Sequence, residues 1–308
     1  MGQRVLVTGA SGCIGRALVP MLQGVGWDVH TSSPSAAEGR PGLPHHAADL
    51  LVPGEARRVV RAVKPDALMH LAWFMTPGRW AVATENVEWV RASLELVQEF
   101  AAAGGTRVVV SGSCLEYDWD FGYCSEARTP CQPHTLYGVA KNALRLVLEG
   151  LAPQAGFRLA WGRVFLVYGP HEHPDRLVPA VIRSLLRGEP ARTSHGRQVR
   201  DYLYVDDIAR AFAALLANDV DGPINIGSGQ PLALRTIVER IGDLLGRSDL
   251  LQIGAIPAAP TDKPLVVGDV TRITSEMGWA PEVSLDEGLR RTVEFWREEL
   301  ARDGAPTA

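Results

Sequence analysis

A serine, a tyrosine and a lysine have the types and spacing of a proton-transfer site. Tyr137 and Lys141 lie four residues apart, about one turn of helix, so a helix would set phenol and ammonium on one face. A phenol with its ordinary pKa of ~10 is a poor acid or base near neutrality. A cation held beside it favours the phenolate and brings it toward the working range. Ser113 follows the apolar run Val108-Val109-Val110, where a strand would end at the carboxyl edge of a sheet and leave a hydroxyl to donate to a substrate oxygen. The chain has only three lysines, Lys64, Lys141 and Lys263, and six tyrosines, so few accidental pairs at this spacing are expected.

The elements that must position these groups begin at the amino terminus. Arg4-Val5-Leu6-Val7 reads as a buried strand and runs into Thr8-Gly9-Ala10-Ser11-Gly12-Cys13-Ile14-Gly15. Ile14, Ala17, Leu18 and Leu22 then recur at helical spacing toward Gly24 and Gly26. Strand, glycine turn and helix form the context of a dinucleotide-binding turn. Gly9 permits the tight turn, Gly12 lets backbone approach a pyrophosphate, and Gly15 lets the helix pack on the strand. Ser11, Cys13 and Ile14 complete the turn, and the helix amino terminus supplies N–H donors to phosphate.

The next strand, Asp28-Val29-His30-Thr31, leads into Ser32-Ser33-Pro34-Ser35, with Arg40 beyond it. A carboxylate here would accept from the ribose 2′-hydroxyl of NAD. Hydroxyls and a guanidinium suit a 2′-phosphate instead, so NADP(H) is the expected cofactor and NAD(H) the alternative. Asp49-Leu50 and His70-Leu71-Ala72 close two later apolar segments and are expected to line the adenine and pyrophosphate side of the groove.

With these residues in place, the chain resembles the extended short-chain dehydrogenase/reductase family almost end to end. The family's glycines match Gly9, Gly12 and Gly15, its Ser-Tyr-Lys set matches Ser113, Tyr137 and Lys141, and its helix asparagine matches Asn86. Its sugar-nucleotide branch is similar at Arg200-Asp201-Tyr202-Leu203-Tyr204-Val205-Asp206-Asp207 and at Gly162 to Pro170. Further matches are Asn225 to Gly229 and Met277-Gly278-Trp279-Ala280-Pro281. The resemblance implies hydride transfer at a sugar carbonyl, a homodimer built on the helices near 86–103 and 137–148, and substrate contacts at Trp73, Cys114, Glu116, Leu166 and Arg200. The 4,6-dehydratases of the branch place Asp-Glu directly after the catalytic hydroxyl. Here Cys114-Leu115 stand there, and leucine cannot exchange a proton, which argues against elimination. Two departures bear on the substrate. Leu166 replaces an asparagine common in the branch, and the stretch 258–263 carries Lys263 but no arginine.

Alternating strands and helices to about residue 165 predict an α/β fold with a doubly wound parallel sheet. The expected domains are 1–165 for the dinucleotide, with segments near 198–228 returning to it, and 166–302 as a smaller carboxyl-terminal α/β substrate-binding lobe. Leu177 to Leu186 and Leu234 to Leu245 read as amphipathic helices, and 303–308 as a tail. Lysine plus arginine number 31 against 35 acidic residues, and no basic stripe supports nucleic-acid binding. No apolar run approaches the ~20 residues of a membrane helix, and the first strand begins without a leader pattern, so a cytoplasmic location is expected. Four cysteines, Cys13, Cys114, Cys124 and Cys131, lack zinc spacing, and no metal site is expected.

The leading expectation is an NADP-dependent ketoreductase acting on the 4-keto group of a nucleotide-linked deoxysugar. The alternatives are an NAD-dependent 4-epimerase using the same triad and a non-catalytic NADP-binding sensor.

Overall fold

The computed structural model describes residues 2–259, 262–302 and 304. Pro260 and Thr261 of the stretch 258–263, and Asp303 and 305–308 of the expected tail, lie outside the described residues. Seven strands form the main sheet: β1 (Arg4–Thr8), β2 (Asp28–Ser33), β3 (His45–Ala47), β4 (Ala67–His70), β5 (Arg107–Ser113), β6 (Arg158–Val164) and β7 (Gly222–Ile226). They are all parallel, in the order β3-β2-β1-β4-β5-β6-β7. A parallel sheet is covered on both faces, which is why its central strands are continuous apolar runs. Val5, Leu6, Val7, Val108, Val109 and Val110 have no solvent exposure.

The helices are α1 (Cys13–Gly24), α2 (Glu55–Val63), α3 (Glu85–Ala102), α4 (Leu136–Ala155), α5 (Leu177–Leu186), α6 (Val205–Ala217), α7 (Leu234–Leu245), α8 (Thr271–Met277) and α9 (Leu285–Arg302). Leu18 and Leu22 of α1 and Phe212 and Leu215 of α6 pack on one face of the sheet. Val59 of α2, Leu96 and Phe100 of α3, and Leu144 and Leu148 of α4 cover the other, around Trp161. The chain runs outward through β2 and β3 and then returns to β4 beside β1. Such a reversal opens a crevice at the carboxyl ends of the strands, where open α/β sheets take their ligands.

A second cluster joins Ile182 and Leu185 of α5, Ile237 and Ile241 of α7, and Leu289, Val293 and Trp296 of α9. Short strands frame it: Leu166–Tyr168 pairs with Tyr202–Tyr204, and Ala191–Thr193 with Leu251–Ile253. Residues 203–226 do not belong to this cluster alone, because α6 and β7 pack into the main sheet. Among the described residues no helix is long and apolar enough to cross a membrane.

Candidate active site

The glycine turn leaves β1 at the crevice. Gly9 has φ +74°, and a Cβ there would meet the Ala72 nitrogen at 2.6 Å, so β1 and the segment after β4 touch through bare backbone. A Cβ on Gly15 would meet the Gly9 carbonyl oxygen at 2.3 Å. Gly12 differs: its Cβ would find only the Gly9 oxygen, at 3.4 Å. Nothing inside the protein forbids a side chain at Gly12, which is solvent-exposed, and its bareness leaves a cradle over the first turn of α1. Gly12 also gives α1 no side-chain cap, and no acidic residue occupies that turn. The free N–H groups and the helix dipole suit an anion. These features fit a dinucleotide pyrophosphate, held by the turn 9–15.

Ser33 ends β2, and its hydroxyl donates to the Ser35 carbonyl at 3.1 Å and lies 3.2 Å from His45 Nε2. Ser32 is buried with an unpartnered Oγ. Beyond them Arg40 Nη1 reaches the Arg16 carbonyl at 3.5 Å, while Arg16 Nε donates to the Ser11 carbonyl at 2.7 Å. Burial and the neighbouring Arg16 charge both hold the Arg40 guanidinium below its ordinary pKa. Asp49 accepts from the Leu51 N–H at 3.0 Å, and the Leu50 side chain is buried in the core under α2 rather than in the groove. Leu71 and Ala72 are half-buried beside the turn.

Ser113 is the last residue of β5 and caps the turn Cys114–Glu116, accepting from Leu115 N–H at 3.2 Å. Thr135 caps α4 by accepting from Gly138 N–H at 3.1 Å. A Cβ on Gly138 would meet the Leu115 carbonyl oxygen at 2.3 Å. That close approach brings the first turn of α4, and Tyr137 with it, to Ser113. Burial pushes the Tyr137 phenol well above its ordinary pKa, and the Ser113 hydroxyl and the Arg176 charge pull it back. Burial draws the Lys141 ammonium down to about 7, opposed by Glu116. The ammonium donates to the Ser111 carbonyl at 2.8 Å and lies 3.8 Å from the centre of the Trp73 indole. Ser113 and Arg176 thus oppose the rise of the phenol, and the Lys141 ammonium lies 6.0 Å from the Tyr137 ring centre.

Several expected substrate contacts stand elsewhere. Glu116 is fully buried and turned under the sheet, accepting from Ser113 N–H at 2.7 Å, Trp161 Nε1 at 2.8 Å and Arg163 Nε at 2.8 Å. Cys114 packs with Tyr117, Cys124 and Phe165, and burial raises its thiol, so neither side chain is available to a ligand. The turn after Ser113 explains both: it folds both side chains inward, where an extended segment would have set Glu116 on the face opposite Ser113. Asn86 is also consumed, accepting from Trp73 Nε1 at 2.7 Å and donating to the carbonyls of Trp80 and Ala83 at 2.8 Å each. Arg200 is buried against Asp262, with its guanidinium 5.6 Å from the Trp119 ring centre. Leu166 is half-buried, and Lys263 pairs with Asp120. Of the neighbouring acidic residues, Asp201 accepts from the N–H groups of Ser228, Gly229 and Gly268, and Asp207 from those of Glu282 and Val283. They hold loop backbone in place.

Arg176, at the start of α5, was missed by the sequence reading. Its guanidinium lies 5.3 Å from the Trp80 ring centre, and Trp80 meets Tyr137 edge-on at 5.2 Å. An arginine between Asp175 and Leu177 carries no motif; only the fold brings it to the phenol. Beside α5 a cleft of about 350 Å³ is lined by Leu177, Ser184, Thr193, Gln198 and Asp262. The Gln198 side-chain carbonyl in it is buried without a partner among the described residues.

The family profile described as "NAD dependent epimerase/dehydratase family" matches residues 5–227. The chain is 27% identical over 227 residues to the UDP-glucuronate 4-epimerase of Thermodesulfobacterium geofontis, covering 72% of this chain and 68% of that one. It is 27% identical over 327 residues to the GDP-6-deoxy-D-mannose reductase of Pseudomonas aeruginosa, covering 98% and 100%. A solved structure of MoeE5 with UDP-glucuronic acid and NAD superimposes with a TM-score of 0.83 at 31% identity, over 96% of this chain and 100% of the other.

Proposed function

The chain belongs to the NAD-dependent epimerase/dehydratase family, within the extended short-chain dehydrogenase/reductases, and from that premise we propose an NADP(H)-dependent ketoreductase that reduces the 4-keto group of a nucleotide-linked deoxysugar. The observation that carries this reading is the pair Arg16 and Arg40 beyond Ser33. Arg40, past the end of β2, reaches the carbonyl of Arg16 in the first turn of α1 and feels its charge, and neither guanidinium has a carboxylate partner among the described residues. An anion between them relieves their repulsion, and a 2′-phosphate is the anion a dinucleotide brings there. The cleft beside α5, with its unpartnered Gln198 carbonyl, supports a nucleotide as the far end of the substrate.

A dihydronicotinamide, its pyrophosphate held by the turn 9–15, would supply the hydride when bound. Ser113 donates a hydrogen bond to the carbonyl oxygen and polarises it. Tyr137, kept as the neutral phenol by burial, gives its proton to that oxygen as negative charge develops, so carbonyl, hydride and proton become the alcohol. Lys141, with a pKa of about 7, exchanges protons readily near neutrality and serves the phenol's return to its starting state. Elimination is disfavoured because Leu115 cannot exchange a proton and Glu116 is turned inward onto Trp161 and Arg163.

Retained NAD and 4-epimerisation are the second reading, favoured by MoeE5, whose solved complex holds NAD. It uses the same triad but begins with Tyr137 as a base. We also infer a homodimer through α3 and α4, where Val87, Val139, Leu146 and Val147 are exposed; a monomer in sedimentation equilibrium would remove that part.

The deciding experiment denatures protein purified without added cofactor, identifies any released dinucleotide, and titrates the empty protein with NADPH and NADH. The expected result is an empty site that binds NADPH more tightly, with Arg40→Ala weakening NADPH about tenfold and NADH little. Stoichiometric NAD, or equal weakening of both, would favour the epimerase.

A further inference from the structure

Lys141 is 2% exposed, and its surroundings satisfy it in an unusual way. An ammonium has three donors. One goes to the Ser111 carbonyl at 2.8 Å. The indole of Trp73 stands over the same nitrogen, centre to nitrogen 3.8 Å, whereas the Tyr137 ring centre is 6.0 Å away. The indole is itself held in place. Trp73 Nε1 donates to Asn86 Oδ1 at 2.7 Å, and Asn86 is tied to the carbonyls of Trp80 and Ala83. Trp89 packs against it with ring centres 6.1 Å apart, and Tyr137 meets it edge-on at 6.3 Å and 89°.

We propose that Trp73 is a positioning residue whose indole face keeps Lys141 a cation in its dry site and aims it along the Tyr137 face of α4.

The charged groups around the ammonium make this contact decisive. Glu116, from the turn after β5, attracts it. His70, at the end of β4, is neutral: it is hydrogen-bonded to Thr8 and Ser93, and burial lowers its pKa to about 3. Tyr137, on the same helix, is a neutral phenol. Burial lowers Lys141 and Glu116 raises it, with about 7 as the balance, where a modest preference for the charged form decides its state. A tryptophan face supplies that preference better than any other aromatic ring, and most strongly where water is excluded. The role of Lys141 in the reaction rests on the function proposed above; the contact itself does not.

The three lysines make the test direct. With lysine labelled at the ε-carbon, the intact protein should give three methylene signals, from Lys64, Lys141 and Lys263. Ring current from Trp73 should move one of them upfield. Trp73→Leu should abolish that displacement and lower the Lys141 titration midpoint by about one pH unit. Trp73→Phe keeps a ring but loses the bond to Asn86, and should retain the upfield signal with an intermediate midpoint. A wild-type spectrum without an upfield lysine overturns the proposal whether or not the variants fold, as does an unchanged midpoint in Trp73→Leu. If the signal and midpoint behave as expected while keto-sugar turnover by Trp73→Leu is unaltered across pH, the contact stands and the reading of Lys141 in the reaction fails.

Discussion

Ser113 carries two jobs at once. Its hydroxyl faces Tyr137, while its backbone N–H is held from below by Glu116, whose carboxylate also takes Trp161 and Arg163. Arg163 extends the network to Tyr117, and Tyr117 to Asn225 on β7. The Ser113 hydroxyl therefore stands on a buried ion pair that ties β5, β6 and β7 together. Removing one partner of such a pair leaves the other charge uncompensated, at ~3–5 kcal/mol. Glu116→Gln should lower stability by about that amount in urea unfolding, with cofactor affinity falling only as the fold does; a variant as stable as the parent would show that the pair is not holding the strand ends. Tyr137→Phe is the complementary case. It should lose nearly all turnover yet bind NADPH within about twofold, because the proposed mechanism uses the phenol only at the reacting oxygen and the ring's packing is kept. Substantial activity in that variant would remove the proton donor from the mechanism.

At the scale of elements, the glycines of the first turn separate into different physical roles that their spacing does not show. Gly15 is bare because the Gly9 carbonyl occupies the space, whereas Gly12 has open space that we propose the dinucleotide fills. Gly15→Ala should therefore destabilise the apo protein, read as a lower melting temperature. Gly12→Ala should leave the melting temperature within a degree or two and cost most of the dinucleotide affinity. Equal stability losses in both would contradict the assignment of Gly12 to the ligand. The positions of α5 and α7 were legible from the apolar periodicity of 177–186 and 234–245, and both helices have those bounds. The turn Cys114–Glu116 was not legible. Its direction depends on the Ser113–Glu116 capping box and on Trp161 and Arg163, which arrive from a strand some 45 residues later.

For the whole molecule, the buried His70 links β1, β4 and α3 through Thr8 and Ser93, and it makes stability depend on acid. Its folded pKa is about 3 against an ordinary 6.5, so between those values the unfolded chain binds more protons. Stability from this group therefore rises with pH across that window, with a slope approaching ~1.4 kcal/mol per unit, and is lost as pH falls. The stability difference between the parent and His70→Gln should shift in the parent's favour from pH 3 to 6.5 in denaturant melts. A constant difference would mean that His70 does not titrate as a buried neutral imidazole.

Local chemistry determined much of this protein. The apolar runs, the glycine turn, the Tyr137–Lys141 spacing and Ser113 at a strand end were each set by residues within a few positions of one another, and such patterns survive reading in one dimension. The tertiary structure alone decided which charged groups face the crevice. Glu116 turned inward because Arg163 and Trp161 were waiting there, and Asn86 was spent on Trp73. Arg176 reached Tyr137 across Trp80, and Lys141 settled against an indole. Each of these depends on contacts between residues far apart in the chain, where burial penalises any unpaired charge and packing selects its partner.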